Sequence, residues 1–149
     1  MTLNPRRARR RQSLRLWNFD QAQAAVPYVS SIVRSLRERT IQLQALRNAV
    51  TQIETKPGRP DRKAIIALDS ARKDLSRAEV DYGEALDELE ALDFQLLDST
   101  QGQALVPFAH DDQLAWYIFD LFDNEPIRSW RFQSDPEETR RKLTSAQKR

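Results

Sequence analysis

Two stretches of this chain carry apolar residues at every seventh position, and only six residues separate them. In the first, over residues 20–54, one seam position reads Ala22, Val29, Leu36, Leu43 and Val50, and the other reads Ala25, Ile32, Arg39, Leu46 and Ile53. In the second, over residues 61–93, Leu68, Leu75, Tyr82, Leu89 and Leu96 share one position with Ala64, Ala71, Ala78, Ala85 and Leu92 in the other. A heptad sustained this long predicts two helices that pair along the seam, each about 50 Å long at 1.5 Å per residue. The breaker Thr55-Lys56-Pro57-Gly58-Arg59-Pro60 is short, so the helices must be antiparallel neighbours.

Folding about Pro57 sets Leu43 opposite Ala71, Leu36 opposite Ala78, Val29 opposite Ala85 and Ile32 opposite Tyr82. Large faces small in most layers, which lets helices approach without voids. Arg39 is the one polar seam residue; it falls against Leu75 and is expected to carry its guanidinium out to water. The helix start is read at Asp20 as cap, with Gln23 at capping-box spacing and Phe19 and Ala24 at the staple positions. Pro27, in the second turn, predicts a local kink. Val26, Val33 and Leu86 widen the apolar face near the base of the hairpin, whereas the flanks near its tip are mostly Arg, Lys, Gln and Asp. Something has to cover the base.

The C-terminal third supplies it. After Leu92 the period changes from helical to alternating, with a short extended piece at Phe94–Leu97 and a turn cluster at Asp98–Gly102. Residues 104–109, 114–122 and 127–133 are rich in aromatic and β-branched side chains, and turn-forming sequences separate them. They predict a three-stranded antiparallel meander, with Pro107 on an edge. If Phe122 faces Ile127, then Phe119 pairs with Trp130 and Tyr117 with Phe132 on the face that packs on the hairpin. The opposite face shows Trp116, Ile118, Asp120, Ser129 and Arg131. The expected fold is α+β: one domain over residues 16–133, with an Arg-rich arm at 1–15 expected to be disordered and a charged tail at 134–149. That tail offers only Leu143 as an anchor, so a frayed short helix or disorder is expected there.

Charge is unevenly placed. The net charge is +2, yet residues 1–15 hold Arg6, Arg7, Arg9, Arg10, Arg11 and Arg15 and no acid, so the rest of the chain is mildly acidic. Such an arm suits nucleic acid or an anionic surface, or serves only as a solubilising tail. No apolar run approaches the roughly 18 residues needed to span a bilayer, so a soluble cytoplasmic protein with no membrane partner is expected. Zero cysteines exclude disulfides and thiolate chemistry.

Taken together, "WNFDQAQAAVPYV", the long amphipathic pair, Gly102, "LAWYIFDLF" and "IRSWRF" resemble a prokaryotic family catalogued as domain of unknown function 2203, over about residues 17–133. The resemblance implies a helical hairpin followed by a short sheet, and no activity comes with it. The chain departs from the family pattern at Asp120, where members tend to be basic, and at Arg131, where they tend to have histidine. The arm and the tail lie outside the resemblance.

Little in the chain points to catalysis. His110 is the only histidine, followed by Asp111 and Asp112; a zinc site wants three or four ligands, and turn chemistry explains this triplet better. The carboxylates Asp81, Glu84, Asp87, Glu88, Glu90 and Asp93 sit off the seam and lack the Glu-x-x-His pairs of a di-iron bundle, so they read as a solvated face. No phosphate loop, nucleophile elbow or zinc-protease motif occurs, so no catalytic, cofactor-binding or metal-binding residue is assigned and no cofactor is expected. The reading is a non-catalytic protein-interaction or assembly module, with Val33, Ile65, Ile66, Trp116, Arg128 and Arg131 as its partner surface. A homodimer that pairs two hairpins in a four-helix bundle would cover Val33, Ile65 and Ile66. The alternative is a nucleic-acid-binding accessory protein that uses the arm, with Arg128, Trp130 and Arg131 nearby.

Overall fold

The computed structural model describes residues 13–149. Helices α1 (Phe19–Glu54) and α2 (Arg62–Glu90) form the hairpin, and β1 (Gln95–Asp98), β2 (Gln103–His110), β3 (Gln113–Asp120), β4 (Ile127–Phe132) and β5 (Arg141–Lys142) follow. The strands form one antiparallel sheet in the order β1-β2-β3-β4-β5. The expected meander of β2, β3 and β4 is its centre, and one short strand extends it on each side.

Trp17 fixes where the hairpin begins. Its backbone N–H donates to the Pro107 carbonyl at 2.8 Å and its indole N–H to the Leu92 carbonyl at 3.0 Å, while its ring meets Phe94 edge-on at 5.0 Å. One buried residue thus ties the start of α1, the end of α2 and the middle of β2 together. That anchor places the cap at Asn18, two residues before the expected Asp20. The Asn18 side chain accepts from the Gln21 N–H at 2.8 Å, and the Gln21 side chain accepts from the Asn18 N–H at 3.1 Å, completing a capping box. Pro27 lies inside α1 and leaves the carbonyl of Gln23, an exposed residue, without its helical donor. At the tip the chain reverses through Gly58, in a left-handed conformation (φ 93°), and Asp61 caps α2 by accepting from the Ala64 N–H at 2.7 Å. Ile32 shares a cleft with Ala85, and Leu43 shares another with Tyr82. α2 ends at Glu90 rather than 93, because Asp93 turns left-handed (φ 63°); Leu96, counted in the heptad, belongs to β1.

The inner face of the sheet carries Ala104, Val106 and Phe108 from β2, Ala115, Tyr117 and Phe119 from β3, and Ile127 and Trp130 from β4. They are buried against Val29, Ile32, Val33 and Leu36 of α1 and Ala85 and Leu89 of α2. Each large apolar side chain so buried contributes about 1.5–3 kcal/mol. The face is the expected one, but the register differs. Tyr117 pairs with Trp130 and Phe119 with Ile127, and an irregularity at Arg128 breaks the ladder. Without that bulge, Ile127 and Trp130 would point to opposite faces; with it, both enter the core. Pro107 sits in a strand with neighbours on both sides, yet β1 pairs only as far as Leu105. Its missing N–H therefore costs no ladder bond, and its carbonyl receives Trp17.

Two turns explain the sheet's edges. Asp111 and Asp112, both left-handed (φ 52° and 58°), make the two-residue β2–β3 hairpin, the geometry whose twist matches the strands. Before β2, Gly102 is left-handed (φ 69°), and a Cβ there would lie 2.9 Å from Leu121 Cβ. Both the conformation and the space require glycine.

The tail forms neither a frayed helix nor a loose end. Phe132 N–H donates to Asp135 at 2.9 Å, and Arg141 grips both Asp135 oxygens at 2.7 and 2.9 Å. The Arg141 guanidinium then lies over Trp130 and Phe132, at 5.4 and 5.0 Å. Further on, Gln147 is buried, its side-chain oxygen accepts from Thr144, and its carbonyl accepts the Tyr117 hydroxyl at 2.5 Å. The strap closes because the aromatic edge of the sheet offers a cation a face and a buried phenol needs an acceptor.

Gly102→Ala is expected to destabilise the fold by more than about 1 kcal/mol, measured by urea unfolding. Asp135 yields a pH test. The hydrogen bond from Arg141, then that from Phe132, holds its carboxyl at about 2. A depressed folded value means the contribution is present above the ordinary carboxylate value, about 3.9, and is lost as pH falls toward 2. Tryptophan emission should therefore change over that window as the strap loosens, and Asp135→Asn should lack the step.

Candidate interaction surfaces

Exposure along the hairpin changes with distance from the sheet. At the base, Val33 and Leu36 are completely buried. The sheet's last contacts with α1 are Arg37 Nε donating to the Thr100 carbonyl and Thr40 Oγ1 donating to Ser99 Oγ, both at 3.0 Å. Beyond them Leu46, Val50, Ile53, Leu68, Ala71 and Leu75 are only half-buried, although they occupy the same seam. Two helices shield a seam from two sides, and nothing else among the described residues covers this stretch. On its outer surface Ile65, Ile66 and Val80 are 56, 59 and 60 % exposed. At the tip, Ile53, Pro57, Pro60, Ala64, Ile65 and Leu68 contribute to a cleft of about 380 Å³ rimmed by Lys56 and Arg59.

The proposed partner residues therefore separate into two groups. Ile65 and Ile66 are exposed as expected. Arg128 is also exposed, but it bulges out of β4 and pairs with Asp123 at 2.7 Å. Val33, Trp116 and Arg131 are buried and cannot form a surface. Val33 lies under the sheet. Trp116 sits with Leu105 and Ile118 on the outer sheet face, where Leu14, Leu97 and Leu114 pack around it, and its indole N–H donates to Gln133 Oε1. This face is a second small core rather than the open surface that strand alternation implies. Trp130 belongs to the inner core, so it is not available beside Arg128 and Arg131 for stacking unpaired bases.

Of the arm, Arg6, Arg7, Arg9, Arg10 and Arg11 lie outside the described residues. Arg15 is engaged within the fold: its backbone N–H donates to Asp93 Oδ2 at 2.7 Å and its guanidinium lies 4.1 Å from the Trp17 ring.

His110 closes β2 and packs edge-on to Trp130 at 4.9 Å, with Asp111 3.6 Å and Gln147 3.4 Å from its Nε2. It serves the turn and the aromatic edge. Among the described residues no group of three or more potential ligands could hold a metal ion. A cleft of about 300 Å³ does lie between hairpin and sheet, lined by Thr40, Leu43, Gln44, Arg47, Glu79, Tyr82 and Ser99. Its polar groups are directed at one another: Thr40 meets Ser99, and Arg47 stands 4.0 Å from Glu79 with both side chains more than half exposed. The strongly perturbed acid in the core is Tyr117, pushed up to about 12 by burial and then by Asp20. Its hydroxyl donates to Gln147 and serves the strap.

The Tyr117 shift carries a testable sign. A raised value favours the neutral phenol in the folded state, so the stability it contributes is present below about 10 and is lost as pH rises toward 12. Tyr117→Phe should flatten the alkaline limb of the unfolding profile between these values.

No curated protein and no solved structure shows significant similarity to this chain. Among the described residues no helix is long and apolar enough to cross a membrane. A family model does match, and it covers residues 15–143, so the shared pattern reaches through β5 rather than stopping at 133 as the sequence motifs suggested. The chain belongs to the family described as "Uncharacterized conserved protein (DUF2203)".

Proposed function

We propose that this protein is a non-catalytic interaction or assembly module whose contact element is the outer stretch of the hairpin. One observation carries the reading: the same heptad that is largely buried beside the sheet continues, half-covered, past Leu43, and exposed Ile65, Ile66 and Val80 flank it. Large side chains left in water across a contiguous stretch mark a surface that another protein covers. The base supplies a rigid mount, so the outer stretch can present a preformed helical pair to a partner at little ordering cost.

The basic arm supports a second reading, an accessory protein that binds nucleic acid. Six arginines and no acid in residues 1–15 form a phosphate-binding composition, and binding through them would weaken steeply with salt.

Affinity capture from native extract, with and without nuclease, separates the two. The expected result is partners that survive nuclease and fall roughly tenfold when Ile65→Asp and Ile66→Asp are introduced together. Partners indifferent to these substitutions would overturn the hairpin as contact element. Nuclease-sensitive capture that disappears when residues 1–12 are removed would assign the protein to nucleic acid instead.

A further inference from the structure

The charges of α2 run against its own dipole. Residues 62–77 carry five cations against two carboxylates, and residues 78–90 carry six carboxylates and no cation. A helix places partial positive charge at its N-terminus and partial negative charge at its C-terminus, so each half of α2 adds to charge of its own sign. The first turn holds no acid and the last turn no base. Within one chain this arrangement is mildly destabilising. It becomes favourable when a second α2 lies alongside in the opposite direction.

The side of α2 turned away from its alanine seam is built for that contact. Arg62, Ile66, Asp69, Lys73 and Val80 lie on this side at helical spacing, with Glu84 at its edge, where it also lines the groove against Tyr28 and Ser31 of α1, and all six are exposed. Gly83 shares the stripe. In mid-helix a glycine is less favourable than alanine, and nothing among the described residues comes within 4 Å of where its Cβ would be, so no packing among them requires it. Close approach of another chain supplies the missing reason.

We infer that two copies of this chain pair antiparallel through the outer faces of α2, about a two-fold axis near Lys73. This geometry sets Ile66 against Val80 of the second copy, Arg62 against its Glu84, and Asp69 against its Arg77. Two-fold symmetry makes every contact twice. The two Lys73 side chains meet at the axis, each already paired with its own Asp69 at 3.1 Å. A parallel arrangement would lay basic half on basic half, so charge selects the direction. The inference rests on the hairpin as contact element and names a second copy as its occupant.

The test is a symmetric charge exchange in the full chain, read by sedimentation equilibrium. Arg62→Glu alone and Glu84→Arg alone should each raise the dimer dissociation constant roughly tenfold, since each creates two like-charge contacts. The double variant should return to within a few-fold of the unsubstituted chain. Both single changes agree better with the dipole of α2, so a lost dimer cannot be ascribed to a weakened helix; far-UV circular dichroism confirms the fold. Added salt should weaken the native dimer. A chain that stays monomeric up to about 1 mM would overturn the pairing. So would a dimer on which the single exchanges have no effect, or that the double exchange fails to restore. Nuclease-resistant capture of other proteins would leave the interaction reading standing in each of these cases.

Discussion

The packing of one aromatic sheet face on the base of a two-helix hairpin is the contact on which the rest of this structure depends. Two helices alone leave much of their seam wet. Tyr117, Phe119 and Trp130 cover it from the sheet side, and Val29, Val33 and Leu36 receive them in full burial. Burial of Tyr117 then creates a demand of its own, because a phenol taken from water without an acceptor costs about 1–3 kcal/mol. The Gln147 carbonyl meets that demand, and reaching it requires the chain to run back across β4. Asp135, Arg141 and β5 are the means of that return. The docked tail is thus a consequence of the aromatic core, which is why sixteen mostly polar residues with one large aliphatic side chain, Leu143, hold a defined path.

How much of this was legible in the sequence follows from how local each determinant is. The heptads, the short breaker and the alternation of β2 and β3 are periodic signals within single segments, and they located both helices, the central strands and the inner face. The cap at Asn18 was missed because Asp20 is as good a capping residue; the choice was made by Trp17, whose partners lie in β2 and after α2. The bulge at Arg128 was missed because alternation assumes a regular ladder, although Ile127 and Trp130, both apolar and three apart, conflict with it and were the available clue. The strap was missed because its contacts are polar and long-range: an aspartate, an arginine, a backbone carbonyl. Composition reads such a segment as tail.

The same contrast governs the surface. Ile65 and Ile66 were readable as exposed because, on a two-helix hairpin, residues off the seam near the tip have nothing to cover them. Trp116 and Arg131 were not, because strand alternation says only which face a side chain leaves by, not whether that face meets water. Here the outer face closes over Leu105, Trp116 and Ile118 with Leu14, Leu97 and Leu114 around them. With both faces of the small sheet buried, most of the large apolar side chains exposed among the described residues (Tyr28, Ile41, Ile65, Ile66 and Val80, against Leu16 and Phe122 elsewhere) are on the hairpin.

On the proposed reading, stability and recognition occupy different ends of one element. Substitution at Leu36 or Leu89 disturbs packed neighbours on both helices and the sheet, so those positions answer to the fold. Positions past Leu43 on α1 and before Ala78 on α2 answer to it only weakly, since their seam is half-open and their ion pairs, such as Glu54 with Arg72 at 2.6 Å, are exposed and worth about 0–1 kcal/mol. α2 nevertheless carries charges that oppose its dipole and a glycine with no neighbour, among the described residues, within 4 Å of where its Cβ would be, although Gly83 and the acidic half lie past Ala78, beside the packed base. In a helix selected only to fold, both would be free to drift toward the dipole-matched and alanine-like optimum. Their joint presence on one outward stripe, beside Ile66 and Val80, is the physical argument for the proposed pairing of that face with a second chain.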